Sequence, residues 1–319
     1  MHAYASLTPE VVLDAIAALG LRPDGRLLAL SSYENRVYQV WLEDEAPVVA
    51  KFYRPGRWTE AQIKEEHAFA KELVEREIPV IAPSAKGTFK NFIYAVYPRR
   101  GGRTPELGDL KTLEWIGRFL GRIHAVGSTK NFTHRESLTV QTFGHDARAY
   151  LLEHDFVPAD LLDAWKAVTE QALQSVEQCY VRAGEISSIR LHGDCHPGNI
   201  LWTDDGPHFV DLDDARMGPA MQDLWMLLSG DRAAMSAQLK KVLSGYEQFM
   251  EFDRKELNLL EALRTLRLIH YSAWIARRWG DPAFPAAFPW FNTQRYWQDR
   301  ILELREQIAL MQEEPLSAD

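Results

Sequence analysis

The stretch Leu191–Asn199 reads LHGDCHPGN, and the interpretation of the whole chain depends on it. Glycine, proline and asparagine favour loops over helices and strands. We therefore predict a loop between two apolar runs that holds two polar side chains, Asp194 and Asn199, five positions apart. A second carboxylate, Asp211, follows twelve positions after Asn199, behind the apolar segment PHFV.

This order of side chains suits a metal ion that carries phosphate groups. Carboxamide and carboxylate oxygens are hard ligands, and Mg²⁺ takes few protein ligands besides the phosphate oxygens of a substrate. With Asn199 and Asp211 assigned to the metal, Asp194 is left to orient a hydroxyl group and accept its proton. Kinases use the same order of a catalytic aspartate, an asparagine and a metal-binding aspartate after a strand. The spacing predicts phosphoryl transfer from ATP.

A lysine in the N-terminal part of the chain supports the same interpretation. Lys51 lies in the strand-like run VVAKFY, and the helical pattern that follows carries Glu65 and Glu66. A strand lysine paired with a helix glutamate holds the α- and β-phosphates of ATP in kinases. We assign this role to Glu66, because a buried helix face formed by Phe69, Leu73 and Val74 would turn it towards the strand.

The pattern of residues changes in character along the chain. Thr8, Pro9 and Gly20 predict the start and end of a first helix, and Thr59 with Gln62 predicts a capping box at the start of a second. Strand-like runs dominate the N-terminal part, and long helical patterns dominate after the turn-rich RRGGRTP. We predict an N-terminal nucleotide-binding lobe over residues 1–98, a hinge over 99–107 and a C-terminal catalytic and substrate lobe over 108–319. The helical patterns of the C-terminal lobe cover about 109–126, 158–183, 219–230, 234–251, 255–279 and 291–312.

Composition excludes several classes of function. The formal net charge of −9 argues against a broad nucleic-acid or anionic-membrane surface, since both require basic residues. No apolar run reaches the length of a membrane span. Two cysteines, Cys179 and Cys195, are too few for a disulfide scaffold. We therefore expect a cytoplasmic protein, a monomer that binds neither nucleic acid nor membrane.

The blocks LHGDCHPGNILW and FVDLDDA resemble the aminoglycoside-phosphotransferase and choline-kinase-like branch of the protein-kinase-like fold. Over nearly the whole chain, the blocks SSYENRVYQV, VVAKFYRPGRWT and DPAFPAAFPWF look like a group of bacterial stress-response serine/threonine protein kinases with that architecture. The resemblance implies an α+β, bilobal fold with a small β-rich N-lobe and a larger helical C-lobe. It also implies ATP as co-substrate with Mg²⁺, and a serine or threonine of a protein as the acceptor.

The resemblance assigns a role to each matching position. Asp194 would be the catalytic base, and Asn199 and Asp211 would bind Mg²⁺. Ser32 would lie in the loop that covers the nucleotide. Lys51 and Glu66 would hold the phosphates, and the backbone near Tyr97 would meet the adenine; the nucleotide-binding positions are Ser32, Lys51, Glu66 and Tyr97.

Two other functions remain as alternatives. A kinase of small molecules, acting on an amino-sugar or amino-alcohol hydroxyl, would carry the same motifs around Asp194. A non-catalytic nucleotide-binding or scaffold module would lack Lys51, Asp194, Asn199 or Asp211, and all four are present.

The chain departs from ordinary protein kinases in three places. LSSYENRVY stands where a glycine-rich G-x-G-x-x-G loop would be, so we expect turn amides and the Ser31 or Ser32 hydroxyl to contact phosphate. Gly193 replaces the arginine that pairs with a phosphorylated activation loop. Seven residues separate Asp211 from Pro219, which is too short for such a loop. We therefore predict no switch by activation-loop phosphorylation.

Several neighbouring residues allow a structural and a functional interpretation. We interpret His192 and His196 as loop-stabilising side chains, and Cys195 as a thiol without a redox role because nearby carboxylates raise a thiol pKa. Asp223 would brace the loop by hydrogen bonds. Asp213 and Asp214 would add a metal ligand, cap a helix or attract a basic substrate. The tryptophans of the C-terminal part would form core or a peptide-docking surface; they are Trp274, Trp279, Trp290 and Trp297.

Overall fold

The structure is a computed structural model that describes residues 3–317, and it divides into two compact units. The first unit comprises Met1–Pro105 together with Gly198–Asp213. The second comprises Glu106–Pro197 together with Asp214–Asp319. The predicted α+β class is confirmed, with a five-stranded sheet in the first unit and long helices in the second.

The first unit is built on an antiparallel sheet with the strand order β1-β2-β3-β5-β4, and a separate hairpin pairs β7 with β8. Lys51 lies in the central strand of the sheet. The elements of this unit are α1 (Pro9–Ala17), β1 (Pro23–Leu30), β2 (Arg36–Leu42), β3 (Val48–Phe52), α2 (Glu60–Glu75), β4 (Ala85–Phe89), β5 (Phe92–Pro98), β7 (Ile200–Thr203) and β8 (Gly206–Phe209).

The helix starts of the first unit follow from their capping residues. The Thr8 side chain accepts a hydrogen bond from Val11 N, and Thr59 with Gln62 forms the predicted capping box of α2. These bonds satisfy backbone N–H groups that have no partner inside a helix. Phe52 and Tyr94 are buried in the core under the sheet, with their rings stacked at 5.1 Å. The strand that carries Lys51 is therefore anchored by its last residue.

The second unit consists of helices around a short two-stranded sheet, β6 with β9. A single-turn π-helix covers Gln141–His145, and a 3-10 helix covers Arg254–Leu259. The other elements are α3 (Leu110–Gly127), α4 (Asp146–Glu153), α5 (Leu162–Ala183), β6 (Ile189–Leu191), β9 (Arg216–Gly218), α6 (Met221–Trp225), α7 (Arg232–Tyr246), α8 (Leu260–Ala276), α9 (Ala283–Ala287) and α10 (Gln294–Leu310).

The aromatic C-terminal part packs largely as core. Trp297 is fully buried, and its ring packs edge-on against Trp165 at 5.0 Å. Trp274 and Trp279 are half-buried, whereas Trp290 is exposed. Within residues 3–317, none of the helices has the length and apolar character that crossing a membrane requires.

Candidate active site

Lys51 is a buried cation held among carboxylates of the first unit. Strand β3 pairs it with Val37 on one side and Ala95 on the other. Its Nζ lies 2.6 Å from Asp211 Oδ1 and 3.8 Å from Asp213 Oδ1. Burial by itself lowers the pKa of an amine, but these acidic groups raise the pKa of Lys51 well above its usual value. The side chain is therefore protonated at neutral pH.

Asp211 and Asn199 lie at the same end of the β7–β8 hairpin. Asn199 immediately precedes β7, and its carbonyl oxygen accepts a hydrogen bond from Val210 N at 3.0 Å. Asp211 comes directly after Val210 and has a φ of 61°, a left-handed conformation that is uncommon for a residue with a side chain. Its side chain is 48% exposed although Lys51 binds it. The same end of the hairpin therefore carries both residues, and the Asp211 carboxylate is accessible.

This donor set fits a magnesium ion that arrives with a nucleotide. Asn199 and Asp211 offer two hard oxygen donors, and Mg²⁺ completes its shell from phosphates and water. Across the described residues, no group of three or more His, Cys, Asp and Glu is arranged to hold a metal by itself. Two protein ligands next to a buried ammonium match a metal that depends on phosphate oxygens.

Asp213 has a different environment from Asp211. Its Oδ2 accepts hydrogen bonds from Asn35 Nδ2 at 3.0 Å and from Arg57 Nη1 at 3.2 Å, and its side chain is 5% exposed. The Arg57 guanidinium also contacts Glu34 at 3.1 Å. The prediction that Asp213 and Asp214 attract a basic substrate is wrong for Asp213, because its charge is buried and neutralised. Asp214 is likewise paired, with Arg216 at 2.7 Å.

The loop between β1 and β2 is tied to this group of charges. Ser32 Oγ donates to the carbonyl of Asn35 at 3.2 Å, and Asn35 Oδ1 accepts from Arg54 N at 3.1 Å. Asn35 and Arg57 were not identified from the sequence. The signal was weak: an asparagine at the end of a turn, and an arginine in the RPGR segment after β3. Together they fix the loop that carries Ser32.

Glu66 lies on the buried face of α2, as predicted. It is 2% exposed, and Phe69 and Leu73 beside it are fully buried. Val74 is 43% exposed, so the prediction that it shares this face is wrong. It follows Leu73 by one residue, which turns it about 100° away around the helix axis. Glu66 adds negative charge that helps to raise the pKa of Lys51.

Tyr53 connects Glu66 with Tyr97, and the sequence did not identify it. Its hydroxyl lies 3.4 Å from a Glu66 carboxylate oxygen and 3.0 Å from the Tyr97 hydroxyl. Lys51 Nζ lies 5.6 Å from the centroid of each tyrosine ring. The Tyr97 side chain thus faces the buried lysine, and its backbone belongs to β5.

In the second unit, Asp223 fixes the backbone that leads to Asp194. Its two carboxylate oxygens accept hydrogen bonds from His192 N and Gly193 N, each at 2.8 Å. Gln222 Nε2 donates to the Gly193 carbonyl at 3.2 Å. The predicted bracing role of Asp223 is confirmed. Helix α6 therefore supplies the acceptor for Gly193 N and the donor to the Gly193 carbonyl, which fixes both sides of this residue's backbone.

Asp223 is itself fixed by a buried histidine. It is fully buried, and its Oδ2 lies 3.0 Å from His124 Nε2, while His124 Nδ1 lies 3.0 Å from the Tyr246 hydroxyl. Burial raises the pKa of a carboxyl, but the hydrogen bond and charge of His124 and the loop amide of Gly193 lower the pKa of Asp223 below its usual value. It therefore remains ionised and keeps accepting from the loop.

The Asp194 carboxylate has two cationic or titratable neighbours within the second unit. Oδ1 lies 2.8 Å from Arg267 Nη1, and Oδ2 lies 3.6 Å from His196 Nε2. The Asp194 side chain is 21% exposed. Arg267 was not identified from the sequence, because it lies in α8, far from the loop, with no local motif. His192 is buried, in agreement with a structural role.

Cys195 is fully buried. Burial, followed by the charges of Asp223 and Asp194, raises the pKa of its thiol well above the usual value. A protonated, inaccessible thiol is a poor nucleophile. The interpretation of Cys195 as a non-reactive residue is supported.

The sequence model of the phosphotransferase enzyme family matches residues 26–260 of this chain. Stress response kinase A of Salmonella choleraesuis (strain SC-B67) is 45% identical over 318 residues, covering 98% of this chain and 96% of that protein. The serine/threonine protein kinase RdoA of Salmonella typhimurium (strain LT2) is 44% identical over 318 residues, with the same coverage of both chains.

Solved structures share the fold at low sequence identity. An amicoumacin kinase, hAmiN, in complex with AMP-PNP, Ca²⁺ and Ami, superposes with a TM-score of 0.72 at 16% identity, covering 97% of this chain and 94% of that chain. Choline kinase LicA from Streptococcus pneumoniae superposes with a TM-score of 0.68 at 16% identity, covering 96% and 100%. The predicted kinase-like fold of the aminoglycoside-phosphotransferase type is confirmed.

Proposed function

The chain belongs to the phosphotransferase enzyme family, and from this premise we propose that it transfers the γ-phosphoryl group of ATP to a protein serine or threonine. The observation that carries the proposal is the pair formed by Lys51 and Asp211 at 2.6 Å, with Asn199 at the same end of the hairpin. A buried ammonium beside two hard oxygen donors is suited to a metal–triphosphate.

The nucleotide side is assigned to residues of the first unit. Lys51 would bind the α- and β-phosphates, with Glu66 keeping its charge and orientation. Mg²⁺ on Asn199 and Asp211 would neutralise charge on the phosphate chain. The loop that carries Ser32 would cover the phosphates, and the backbone near Tyr97 would meet the adenine.

Asp194 is proposed as the group that receives the proton of the acceptor hydroxyl. Its loop is held by Asp223 through the backbone of His192 and Gly193, which would position the Asp194 backbone before the acceptor binds. The hydroxyl oxygen attacks the γ-phosphorus, the bond to the β–γ bridging oxygen breaks, and ADP leaves. Positioning and charge neutralisation supply most of the rate in this chemistry.

A protein acceptor and a role in a bacterial stress response are favoured by the relatives that are 44% and 45% identical, which are named as a serine/threonine protein kinase and a stress response kinase. The fold neighbours named as kinases of choline or amicoumacin are 16% identical and support the fold alone. We further propose a cytoplasmic monomer without nucleic-acid or membrane partners, in keeping with the net charge of −9.

The proposal is tested by three matched variants assayed with labelled ATP on casein-type proteins and on a panel of metabolites. Asp194→Asn should lower kcat at least about 100-fold with ATP affinity retained. Asp211→Asn should weaken binding of Mg²⁺–ATP. Asp204→Asn, in the exposed turn of the same hairpin, is the control and should behave as the parent protein. Turnover by Asp194→Asn close to that of the parent, or transfer to metabolites alone, would refute the assignment.

A further inference from the structure

The carboxylate proposed as the base is paired with a cation from a distant helix. Arg267 Nη1 lies 2.8 Å from Asp194 Oδ1, on the side opposite to His196. The Arg267 side chain is 37% exposed, so a ligand approaching Asp194 also meets this guanidinium. An acceptor that carries an amine next to its hydroxyl would be repelled here, since the positive charge of Arg267 is already paired with the Asp194 carboxylate.

Arg267 begins a half-buried stripe along α8. It shares one face with His270, Tyr271 and Trp274, because their spacing of i, i+3, i+4 and i+7 follows the helical period, and Arg278 comes two residues after the end of the helix. The Tyr271 and Trp274 rings stack at 5.7 Å with an interplanar angle of 10°, and the Arg278 guanidinium lies 5.0 Å from the Trp274 ring centroid. From Arg267 to Trp274 the stripe runs for about 10 Å along the helix, with aromatic rings between the Arg267 guanidinium at one end and the Arg278 guanidinium at the other.

The charge around this stripe is positive. Burial, and after it the charges of Arg216, Arg277 and Arg267, lowers the pKa of His270 well below its usual value. Arg216 is neutralised by Asp214 at 2.7 Å. Arg277 is exposed, and its guanidinium lies 5.0 Å from the Tyr150 ring centroid. Arg267, Arg277 and Arg278 therefore place positive charge along and beside the stripe, and of these Arg267 contacts Asp194.

We propose that Arg267 and the stripe it begins form an acceptor-binding surface for acidic peptides, so that this chain phosphorylates serines or threonines flanked by glutamate or aspartate. The inference rests on the proposed protein kinase function. A guanidinium binds a carboxylate through two parallel hydrogen bonds, which gives both affinity and orientation. Arginine and aromatic residues are also the types enriched where a binding surface contributes most energy.

The proposal predicts that Arg267 changes its ion-pair partner when the acceptor binds. A glutamate next to the acceptor hydroxyl replaces Asp194 as the partner of Arg267. Asp194 Oδ1 is then released to accept the hydrogen bond of the hydroxyl. The acidic peptide thus exchanges one ion pair for another, and a basic peptide has no carboxylate with which to make the exchange.

The test uses three serine peptides that differ only in the residues flanking the acceptor, which are glutamate, glutamine or lysine. The parent enzyme should phosphorylate the glutamate peptide with a kcat/KM at least about tenfold above the glutamine peptide and higher still above the lysine peptide. Arg267→Gln should reduce the glutamate preference to threefold or less, mainly through KM. Arg267→Lys should retain part of it.

Arg295→Gln is the matched control, since Arg295 lies on α10 with a side chain that is 90% exposed. It should keep the full preference, and thermal melts should show that all variants are folded. Equal use of the three peptides, a preference for lysine, or an unchanged preference in Arg267→Gln would overturn the inference while leaving the kinase function intact. Phosphorylation of choline but of none of the peptides would overturn the proposed function and this inference together.

Discussion

Gly193 packs directly against the backbone carbonyl of Asp214. A Cβ placed on Gly193 would collide with that carbonyl oxygen, and the φ of 86° at this position is a conformation that side chains disfavour. The arginine that ordinary protein kinases carry before the catalytic aspartate has no space here. Its absence therefore follows from a close approach of two backbone segments within the second unit.

Gly193→Ala should therefore inactivate and destabilise the protein. We expect a loss of about 3 kcal/mol or more in the free energy of unfolding, together with a fall in kcat of at least about 100-fold. The control is Gly184→Ala, where φ is 68° but no atom lies within 4 Å of the added Cβ, so the expected cost is only about 1–2 kcal/mol with activity retained. Urea unfolding and kinase assays measure both. Equal effects of the two substitutions would contradict the role of the contact with Asp214.

Lys51→Met should weaken the binding of the ATP phosphates without unfolding the first unit. Asp213 keeps Asn35 and Arg57 as partners, and the Asp211 side chain is 48% exposed, so neither carboxylate is left buried alone. We expect kcat/KM for ATP to fall at least about 100-fold with a melting temperature near that of the parent. Lys86→Met, at an exposed position of the same sheet, should change neither quantity. If Lys51→Met kept a kcat/KM for ATP within threefold of the parent value, the assignment of Lys51 to the phosphates would be disproved.

The buried Glu256 carboxyl predicts that the free energy of unfolding depends on pH. Its side chain is 3% exposed, its Oε2 accepts from Met221 N at 2.8 Å, and burial raises its pKa from 4.5 to about 7. An acid whose pKa is higher in the folded state holds its proton after the unfolded chain has lost it. The Glu256 carboxyl therefore does not change the free energy of unfolding below about pH 4.5, and it lowers that free energy as the pH rises from 4.5 to 7.

Glu256→Gln should remove this loss, because glutamine keeps an oxygen for Met221 N and cannot ionise. We expect the variant to exceed the parent by up to about 3 kcal/mol in free energy of unfolding at pH 8, and to match it near pH 4.5. Urea titrations at the two pH values measure the difference. Glu251→Gln, at an exposed position, should show no such dependence. A constant difference between Glu256→Gln and the parent at both pH values would disagree with this account.

Activity should not require phosphorylation after Asp211. Residues 212–218 contain no serine, threonine or tyrosine, and all of Ala215–Gly218 is buried, with Arg216–Gly218 paired to β6. Protein treated with a phosphatase should keep its kcat/KM for ATP within about twofold. Activity that appears only after phosphorylation would show that a switch exists elsewhere in the chain.

Several site residues could be predicted because they lie close together in sequence. Asp194 and Asn199 share one loop, and the chemistry of their side chains limits what the loop can do. Arg267 could not be found in this way, since it reaches Asp194 from a separate helix. Val74 shows a further limit, because apolar character alone does not decide which face of a helix a residue occupies.

The sequence by itself predicted the chemistry, through a lysine in a β-rich part that is followed in order by an aspartate, an asparagine and a second aspartate. Only the tertiary structure decided which charges are neutralised and which residues share a unit. Residues 198–213 belong to the first unit, where Lys51 pairs with Asp211 and where Arg57 neutralises the buried charge of Asp213. These pairings join positions more than 150 residues apart. They depend on packing of the whole chain, which no local pattern of residues specifies.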